Sequence, residues 1–249
     1  MFVIFDMSDE RKRIFEKYRK HETVIKRHDV CSSAPFFVAR AHRLYPDFEE
    51  LRQIAVRYGC ALAADDICLP ASFDSLLFTP QILPLRMLIK SAAQALSQKG
   101  KSNISVTVID KNAKATGDIE QLVPFARSVR VITAKPAAYD ETVSGIFNTL
   151  GAVVILSDNY STCYGSNLII APDDRELDGF DYGKIIVYKK YSSQANVTSL
   201  NKCAFKYRGF DSEEYGVDSC LFLCALYETC GYRLNQLPVF EGAREIICE

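Results

Sequence analysis

Between residues 104 and 156 the sequence alternates short apolar runs, rich in β-branched side chains, with longer segments of helical periodicity. The apolar runs are nearly continuous, which is typical of strands that are buried on both faces of a parallel sheet. Successive strand-helix-strand units require right-handed crossovers, so the loops that follow the strands share the carboxyl edge of the sheet. The pattern therefore predicts an α/β fold with a mostly parallel sheet and flanking helices. The predicted strands are 104–109, 129–133 and 153–156, and the predicted helices between them are 118–127 and 136–150.

The segments on either side of this region extend the α/β pattern. The elements predicted there are helices 46–58, 84–98 and 217–230 and strands 60–64, 168–171 and 184–188. Gly59 and Gly231 follow two of these helices directly, as helix-ending glycines do. Small and polar residues at 99–103 are typical of a linker. We therefore predict two lobes, an N-terminal α/β lobe at 1–99 and a second lobe at 100–249, whose last helix packs back on the first lobe.

The charge of the chain is nearly balanced, with 30 Lys and Arg residues against 31 Asp and Glu residues and a formal net charge of -1. Such a balance gives no long-range field that would attract a polyanion, so we expect no nucleic-acid partner. A basic stretch between residues 11 and 27 is interrupted by Glu16 and Glu22. This mixture predicts the solvent-exposed face of a helix rather than a phosphate-binding surface.

The nine cysteines would form a disulfide framework only in an exported protein. The first residues do not form an export signal, because charged residues follow the short apolar start at once. No apolar run approaches the roughly 20 residues that span a bilayer. We therefore predict a cytoplasmic protein with reduced thiols and no membrane partner. Cys220 and Cys224 lie on one face of an apolar helix, so we expect them in the core and predict no metal site.

Polar residues gather where the predicted strands end. In open parallel sheets the ligand crevice lies outside the carboxyl ends of the strands, so these residues are candidate ligand contacts. A second interpretation is that acidic and amide residues begin the loops and cap the helices here. The residues concerned are Asp110, Lys111, Asn112, Thr133, Lys135, Ser157, Asp158, Asn159, Asp173 and Asp174.

Residues 104–133 resemble the opening strand-helix-strand of the Rossmann dinucleotide-binding family, and the resemblance extends to about residue 172. It implies a Rossmann-like second lobe and NAD or NADP as the cofactor. The G-x-G-x-x-G turn of the family is absent, because Asp110, Asn112 and Ala115 stand where its glycines would fall. The residues that the resemblance implies for cofactor binding are Asp110, Asn112, Gly117, Thr133, Lys135 and Asp158.

The missing glycines leave two hypotheses for the function. In the first, a degenerate Rossmann-like protein binds a small molecule or a partner without turnover. In the second, an NAD(P)-dependent oxidoreductase has its site in the cleft between the lobes. An Asp110 that faced the crevice would repel a pyrophosphate at the start of the next helix, which favours the first hypothesis. No proton donor for hydride transfer stands out, and His42, Asp65 and Asp66 are the first candidates. The oligomeric state stays open.

Overall fold

The computed structural model describes residues 1–7, 23–30, 34–41, 46–64, 67–99, 103–175, 177 and 183–248. Contacts between Cα atoms divide the chain into two units, Met1–Pro80 with Ala204–Leu234 and Gln81–Cys203 with Asn235–Glu249. The strands and helices of the described residues follow in the order β1 (Phe2–Asp6), β2 (Val24–His28), β3 (Phe36–Arg40), α1 (Phe48–Tyr58), β4 (Ala61–Ala63), α2 (Leu83–Lys99), β5 (Ser105–Ile109), β6 (Ser128–Ile132), α3 (Asp140–Leu150), β7 (Val154–Ser157), β8 (Leu168–Asp173), β9 (Lys184–Lys189), β10 (Val197–Ser199), α4 (Ser219–Cys230) and α5 (Ala243–Cys248).

The grouping of the helices differs from the division that the sequence predicts at residue 99. Helix α2 belongs to the second unit, where it contacts β8, β9 and α5. Its Leu88, Ala92 and Leu96 side chains are fully buried. The polar residues at 99–103 therefore follow an element that already packs within the second unit, whereas α4 belongs to the first unit.

The first unit contains a four-stranded sheet in the order β2-β3-β1-β4. Strand β1 is parallel to both of its neighbours, and Ile4 lies opposite Val38 on one side and Leu62 on the other. Strand β2 runs antiparallel to β3. Since all five residues of β1 are buried, this central strand anchors the apolar core of the unit.

Helices α1 and α4 begin and end where local chemistry favours it. The Asp47 side chain accepts a hydrogen bond from the amide of Glu50, and the Asp218 side chain accepts one from Leu221. Such N-caps satisfy amides that have no partner within the helix. Gly59 and Gly231 end the two helices with positive φ angles of 94° and 65°, which glycine adopts without steric penalty. The predicted helices 46–58 and 217–230 are confirmed.

The second unit contains a six-stranded sheet in the order β10-β9-β8-β5-β6-β7, in which every neighbouring pair is parallel. Counted from β5 as the first strand, this is the order 3-2-1-4-5-6 of the doubly wound Rossmann fold. The chain is thus an α/β protein with a Rossmann-like, mostly parallel sheet and flanking helices, as the strand pattern predicts. Strands β5 and β8 form the switch point, where the order of the strands reverses.

The prediction of one helix between the strands of this sheet is wrong. Residues 118–127 do not form an α-helix, because Thr116–Gln121 is a 3-10 helix and turns follow it. Pro124 lacks a backbone N–H and disfavours the interior of a helix, and Asp118 directs its carboxylate to Arg86 at 2.7 Å. The predicted helix 136–150 begins instead with a 3-10 turn, Pro136–Tyr139, and continues as α3.

The beginning of the chain also differs from the prediction where the structure describes it. Lys26 and Arg27 lie in the exposed strand β2 and not on a helix. The rest of the basic stretch, from residue 11 to residue 22, lies outside the described residues. Strands β1, β3 and β10 and helix α5 are further elements that were not predicted from the sequence.

Candidate functional site

The carboxyl ends of β5 and β8 mark the place where a sheet of this topology usually binds its ligand. Asp110 follows β5, and Asp173 ends β8 with Asp174 directly after it. The two strands are neighbours, with Val106, Thr107 and Val108 opposite residues 168–170. The sequence therefore places three carboxylates at the switch point, and their hydrogen-bond partners determine what the site can accept.

The carboxylate of Asp110 binds the backbone of its own turn. Its Oδ1 accepts a hydrogen bond of 2.9 Å from the amide of Lys114, and its Oδ2 accepts one of 2.7 Å from the amide of Ala115. The amide of Ala113 donates to the carbonyl oxygen of Asp110 at 3.1 Å. Three consecutive amides are therefore engaged by one residue, which is only 2% exposed. Ala113 completes this turn with a φ of 55°.

The side chain of Tyr139 binds the same carboxylate. Its hydroxyl donates a 2.7 Å hydrogen bond to Oδ2 of Asp110, and its ring is fully buried. Burial raises the pKa of Tyr139 far above its usual range, and the hydrogen bond to Asp110 and the negative charge of that residue raise it further. The phenol therefore stays protonated and remains a donor at all ordinary pH values.

Loops after β5 and β6 are joined by backbone hydrogen bonds. The amide of Asp110 donates to the carbonyl of Ile132, and the amide of Ala134 donates to the carbonyl of Lys111. Thr133 is buried, and its hydroxyl accepts a hydrogen bond of 3.1 Å from the amide of Lys135. The structure thus brings Asp110 and Thr133 into one hydrogen-bonded turn structure, in which both side chains accept hydrogen bonds from backbone amides.

The other residues proposed for cofactor binding lie at the surface. Asn112, Gly117, Lys135 and Asp158 are all exposed. A Cβ atom added at Gly117 would meet no atom within 4 Å, so neither a close backbone approach nor a crowded neighbour requires glycine there. Gly117 lies in a 3-10 helix of six residues, which offers a weaker anion site than the longer α-helix of a Rossmann turn.

On the β8 side of the switch point, Asp174 is bound in a similar way. It is buried and accepts hydrogen bonds from the amides of Tyr191 and Ser192 at 2.7 and 3.0 Å. Burial alone would raise the pKa of Asp174, but hydrogen bonds from the Ser192 hydroxyl and from these amides outweigh burial and lower the pKa below its usual value. Asp174 is therefore an ionised carboxylate that closes a turn, a role that the sequence alone does not reveal.

Asp173 lies beside Asp174 and forms an ion pair with Arg175. Nε and Nη2 of Arg175 donate to the two carboxylate oxygens at 3.1 and 2.6 Å. The guanidinium group also lies 4.9 Å from the ring centre of the exposed Tyr191. The charge of Asp173 is thus matched by an arginine of its own loop.

In the first unit, the carboxyl edge of the sheet carries an ion pair. Nε of Arg40, the last residue of β3, donates to Oδ2 of Asp6, the last residue of β1, at 2.7 Å. Asp6 is buried and Arg40 is half exposed. The proton-donor candidates His42, Asp65 and Asp66 lie outside the described residues.

Comparisons with known proteins identify no family. No family model matches the sequence, and no curated protein matches it. Among solved structures, ornithine carbamoyltransferase from Pyrococcus furiosus aligns with a TM-score of 0.33 at 8% identity, covering 77% of this chain and 75% of that one. Quinate dehydrogenase from Corynebacterium glutamicum, in complex with NAD, aligns with a TM-score of 0.32 at 9% identity, covering 86% and 88%. L-tryptophan dehydrogenase from Nostoc punctiforme aligns with a TM-score of 0.28 at 11% identity, covering 64% of this chain and 52% of that one. The fold assignment therefore stands on the strand order.

Within the described ranges, no group of three or more His, Cys, Asp or Glu side chains has the arrangement of a metal site. Cys220 and Cys224 are fully buried in α4, as predicted. Both are free thiols, as are Cys60, Cys68, Cys163, Cys203 and Cys230. None of the described helices is long and apolar enough to cross a bilayer.

Proposed function

We propose that this chain is a Rossmann-like binding protein that acts without a dinucleotide cofactor. The observation that carries the proposal is the position of the Asp110 carboxylate, which accepts the amides of Lys114 and Ala115 at 2.9 and 2.7 Å. In a dinucleotide-binding turn, backbone amides after the first strand donate to the pyrophosphate. Here the anion that those amides bind belongs to the chain itself.

A dinucleotide would have to compete with this internal anion. Two unit charges about 4 Å apart repel by about 4 kcal/mol at an effective dielectric constant near 20. The attraction of a helix N-terminus for an anion is about 0.3 to 1 kcal/mol, and a short 3-10 helix provides no more than this. The repulsion therefore exceeds the attraction. A dinucleotide that displaced the Asp110 carboxylate would gain no affinity, because the buried hydroxyl of Tyr139 would then lose its hydrogen-bond acceptor.

The bound partner is a small molecule or another macromolecule. The near-neutral charge of the chain gives no support for a nucleic acid. A thermal-shift screen narrows the choice, because a ligand at about 100 times its Kd stabilises the folded state by about 2.7 kcal/mol. The screen uses nucleotides, amino acids and hydroxy acids as probes and requires no assumption about chemistry.

Titration calorimetry with NAD and NADP tests the proposal directly. We expect the wild-type protein to bind neither cofactor with a micromolar Kd. A double variant, Asp110→Gly with Tyr139→Phe, frees the two amides and removes the hydroxyl that would lose its acceptor. Its affinity for the cofactors should rise above that of the wild type. Asp158→Gly, which removes an exposed acid that follows β7, is the matched control and should leave the affinity unchanged.

A micromolar or tighter Kd for the wild type would overturn the proposal in favour of the alternative, an NAD(P)-dependent oxidoreductase. Weaker cofactor binding by the folded double variant than by the wild type would also contradict the proposal, because Asp110 would then contact the ligand. Far-ultraviolet circular dichroism of each variant shows whether the fold is retained, so that a loss of binding is not mistaken for unfolding.

A further inference from the structure

Arg130 interrupts the apolar sequence of β6, an interior strand of the second sheet. Its neighbours Val129 and Val131 are buried on one face of the sheet, so the side chain of Arg130 belongs to the opposite face. On that face, the register places Thr107 of β5 on one side of Arg130 and Ile155 of β7 on the other. Because charged side chains rarely enter a sheet without a partner, the contacts of this guanidinium group are informative.

The chain segment 158–167, which leads from β7 to β8, covers this row of three side chains only in part. The Ser166 hydroxyl lies 2.6 Å from that of Thr107, which is fully buried. Arg130 is half-buried, and Ile155 is 46% exposed. Exposure therefore increases along the row from β5 to β7, and an apolar side chain that solvent can reach borders Arg130 on the β7 side.

Two backbone carbonyl groups of the same segment fix the guanidinium group of Arg130. Nη1 donates to the carbonyl of Thr162 at 3.0 Å and to that of Tyr164 at 3.2 Å. Nε and Nη2 have no hydrogen-bond or ion-pair partner in the described part of the chain. Neither of these two nitrogen atoms is fully enclosed by protein. We call the side of the guanidinium group that carries Nε and Nη2 the open donor edge.

Two other arginines of the second unit show what such an edge binds. Arg86 uses Nε and Nη2 to hold the carboxylate of Asp118 at 2.7 and 3.3 Å. Arg175 holds Asp173 through the same two atoms at 3.1 and 2.6 Å. The parallel N–H groups of this edge match the two oxygen atoms of a carboxylate, which makes the contact bidentate. Arg130 presents the same edge, and no carboxylate of the described residues lies against it.

We propose that Arg130 and Ile155 bind a small organic acid. Its carboxylate contacts the open donor edge, and its apolar body packs on the exposed side chain of Ile155. A carboxylate fits better than a phosphate monoester, because Arg130 supplies one positive charge whereas the phosphate carries about two negative charges at neutral pH. The two carbonyl groups already hold the guanidinium group in place, so little side-chain freedom is lost on binding.

This inference goes beyond the proposed function and concerns a different part of the sheet. The site lies on a face of the sheet, whereas the Asp110 turn lies at its carboxyl edge. Binding of an organic acid at Arg130 does not require that the Asp110 turn exclude a dinucleotide. Either proposal can therefore fail while the other stands.

Titration calorimetry with hexanoate tests the site, with hexanol and inorganic phosphate as comparison ligands. We expect hexanoate to bind the wild-type protein with a Kd of about 1 mM or lower. Hexanol lacks the carboxylate and phosphate lacks the apolar body, so each should bind at least about tenfold more weakly. The Nε–H resonance of Arg130 in a two-dimensional nitrogen–proton NMR spectrum should shift as hexanoate is added, which locates the ligand.

Variants at Ile155 leave the hydrogen bonds of Arg130 intact and separate charge from shape. Ile155→Glu places a carboxylate of the chain itself beside the open donor edge and should weaken hexanoate binding at least about tenfold. Ile155→Gln is the matched uncharged control and should bind hexanoate more tightly than Ile155→Glu does. Val56→Glu adds the same charge at an exposed position of α1 in the first unit and should leave the affinity unchanged. Far-ultraviolet circular dichroism checks that each variant is folded.

Several results would contradict the site at Arg130. A wild-type protein that does not bind hexanoate would overturn it, and so would hexanol or phosphate binding as tightly as hexanoate. Equal affinities of Ile155→Glu and Ile155→Gln, or an equal loss of affinity in Val56→Glu, would show that the ligand does not lie beside Ile155. An Nε–H resonance of Arg130 that stays in place while hexanoate binds would show that the carboxylate lies elsewhere.

Discussion

The hydroxyl of Tyr139 donates a 2.7 Å hydrogen bond to Oδ2 of Asp110, and neither side chain is open to solvent. The two residues are 29 positions apart, one directly after β5 and the other in the turn that follows β6 and precedes α3. Their hydrogen bond therefore connects two strand ends at the place where the fold usually leaves a crevice for phosphate. It adds a side-chain contact to the backbone hydrogen bonds that already join the two loops.

We expect Asp110→Asn to lower the free energy of unfolding by about 1 to 3 kcal/mol, because an amide group cannot accept all three hydrogen bonds and leaves a buried donor unpaired. Tyr139→Phe removes one donor and should cost less, about 0.5 to 1.5 kcal/mol. Urea denaturation measures both. Asp158→Asn, at an exposed acid, should change the stability by less than about 0.5 kcal/mol. Equal effects at Asp110 and Asp158 would show that the hydrogen bonds of Asp110 do not stabilise the fold.

Two glycines of the second unit should respond differently to an added methyl group. A Cβ at Gly183 would lie 2.5 Å from the carbonyl oxygen of Asn167 and 2.7 Å from that of Ser166, so the backbone before β9 would have to move. Gly183→Ala should therefore destabilise the protein by about 1 to 3 kcal/mol. Gly117→Ala meets no neighbour and should shift the stability by no more than about 0.5 kcal/mol. Thermal unfolding of the two variants compares them, and a neutral Gly183→Ala would mean that the β8-β9 spacing is looser than described.

The stability of the first unit should fall as the pH drops below about 6.5. His28 stacks on Phe36 at 4.8 Å, and its Nε2 atom is buried with no hydrogen-bond partner among the described residues. Burial lowers the pKa of His28, and the positive charge of Lys26 lowers it further. The unfolded chain therefore takes up a proton at a higher pH than the folded chain does, and stability is lost between the ordinary pKa and the lowered one.

His28→Gln removes this titration and supplies the test. Urea denaturation at about pH 7.5 and about pH 5.5 should show a larger loss of stability for the wild type than for the variant. Identical losses would mean that the pKa of His28 is the same in the folded and unfolded states.

The α4 cysteines should contribute to packing and not to metal binding. Cys220 and Cys224 are fully buried, so replacing both with alanine should lower the free energy of unfolding by about 1 to 3 kcal/mol. Cys68→Ala, at an exposed thiol, should have little effect. Elemental analysis should find the same metal content in the wild type and in the double variant. Stoichiometric zinc or iron that disappears with the two thiols would contradict the assignment of α4 as a core helix.

The second sheet could be predicted from sequence because its strands are continuous apolar runs. Val106, Val108 and Ile109 are buried, and so are Ile169 and Ile170, which shows the two-sided burial that such runs indicate. The first sheet was harder to recognise, although β1 is equally apolar. Strand β2 is a charged edge strand that lacks the alternation of a half-buried one.

The candidate site shows where sequence reasoning stops. An aspartate after a strand is equally consistent with a ligand contact and with a side chain that binds its own turn. The difference depends on the amides of Lys114 and Ala115 and on the hydroxyl of Tyr139, and the last of these is brought in by tertiary structure. Nothing in the sequence indicates that a tyrosine shortly after β6 will bind an aspartate at the end of β5.

The return of residues 204–234 to the first unit affects how the protein is made. The amine of Met1 donates to the carbonyl of Thr229, a partner 228 positions later, and the ring of Phe2 packs against that of Phe222. On the ribosome, β1 therefore emerges long before the helix that covers it and exposes four large apolar side chains while the rest of the chain is synthesised. Contacts between such distant positions slow folding, because a long loop must close before they form. We therefore expect the first unit to complete its apolar core only after α4 has left the exit tunnel.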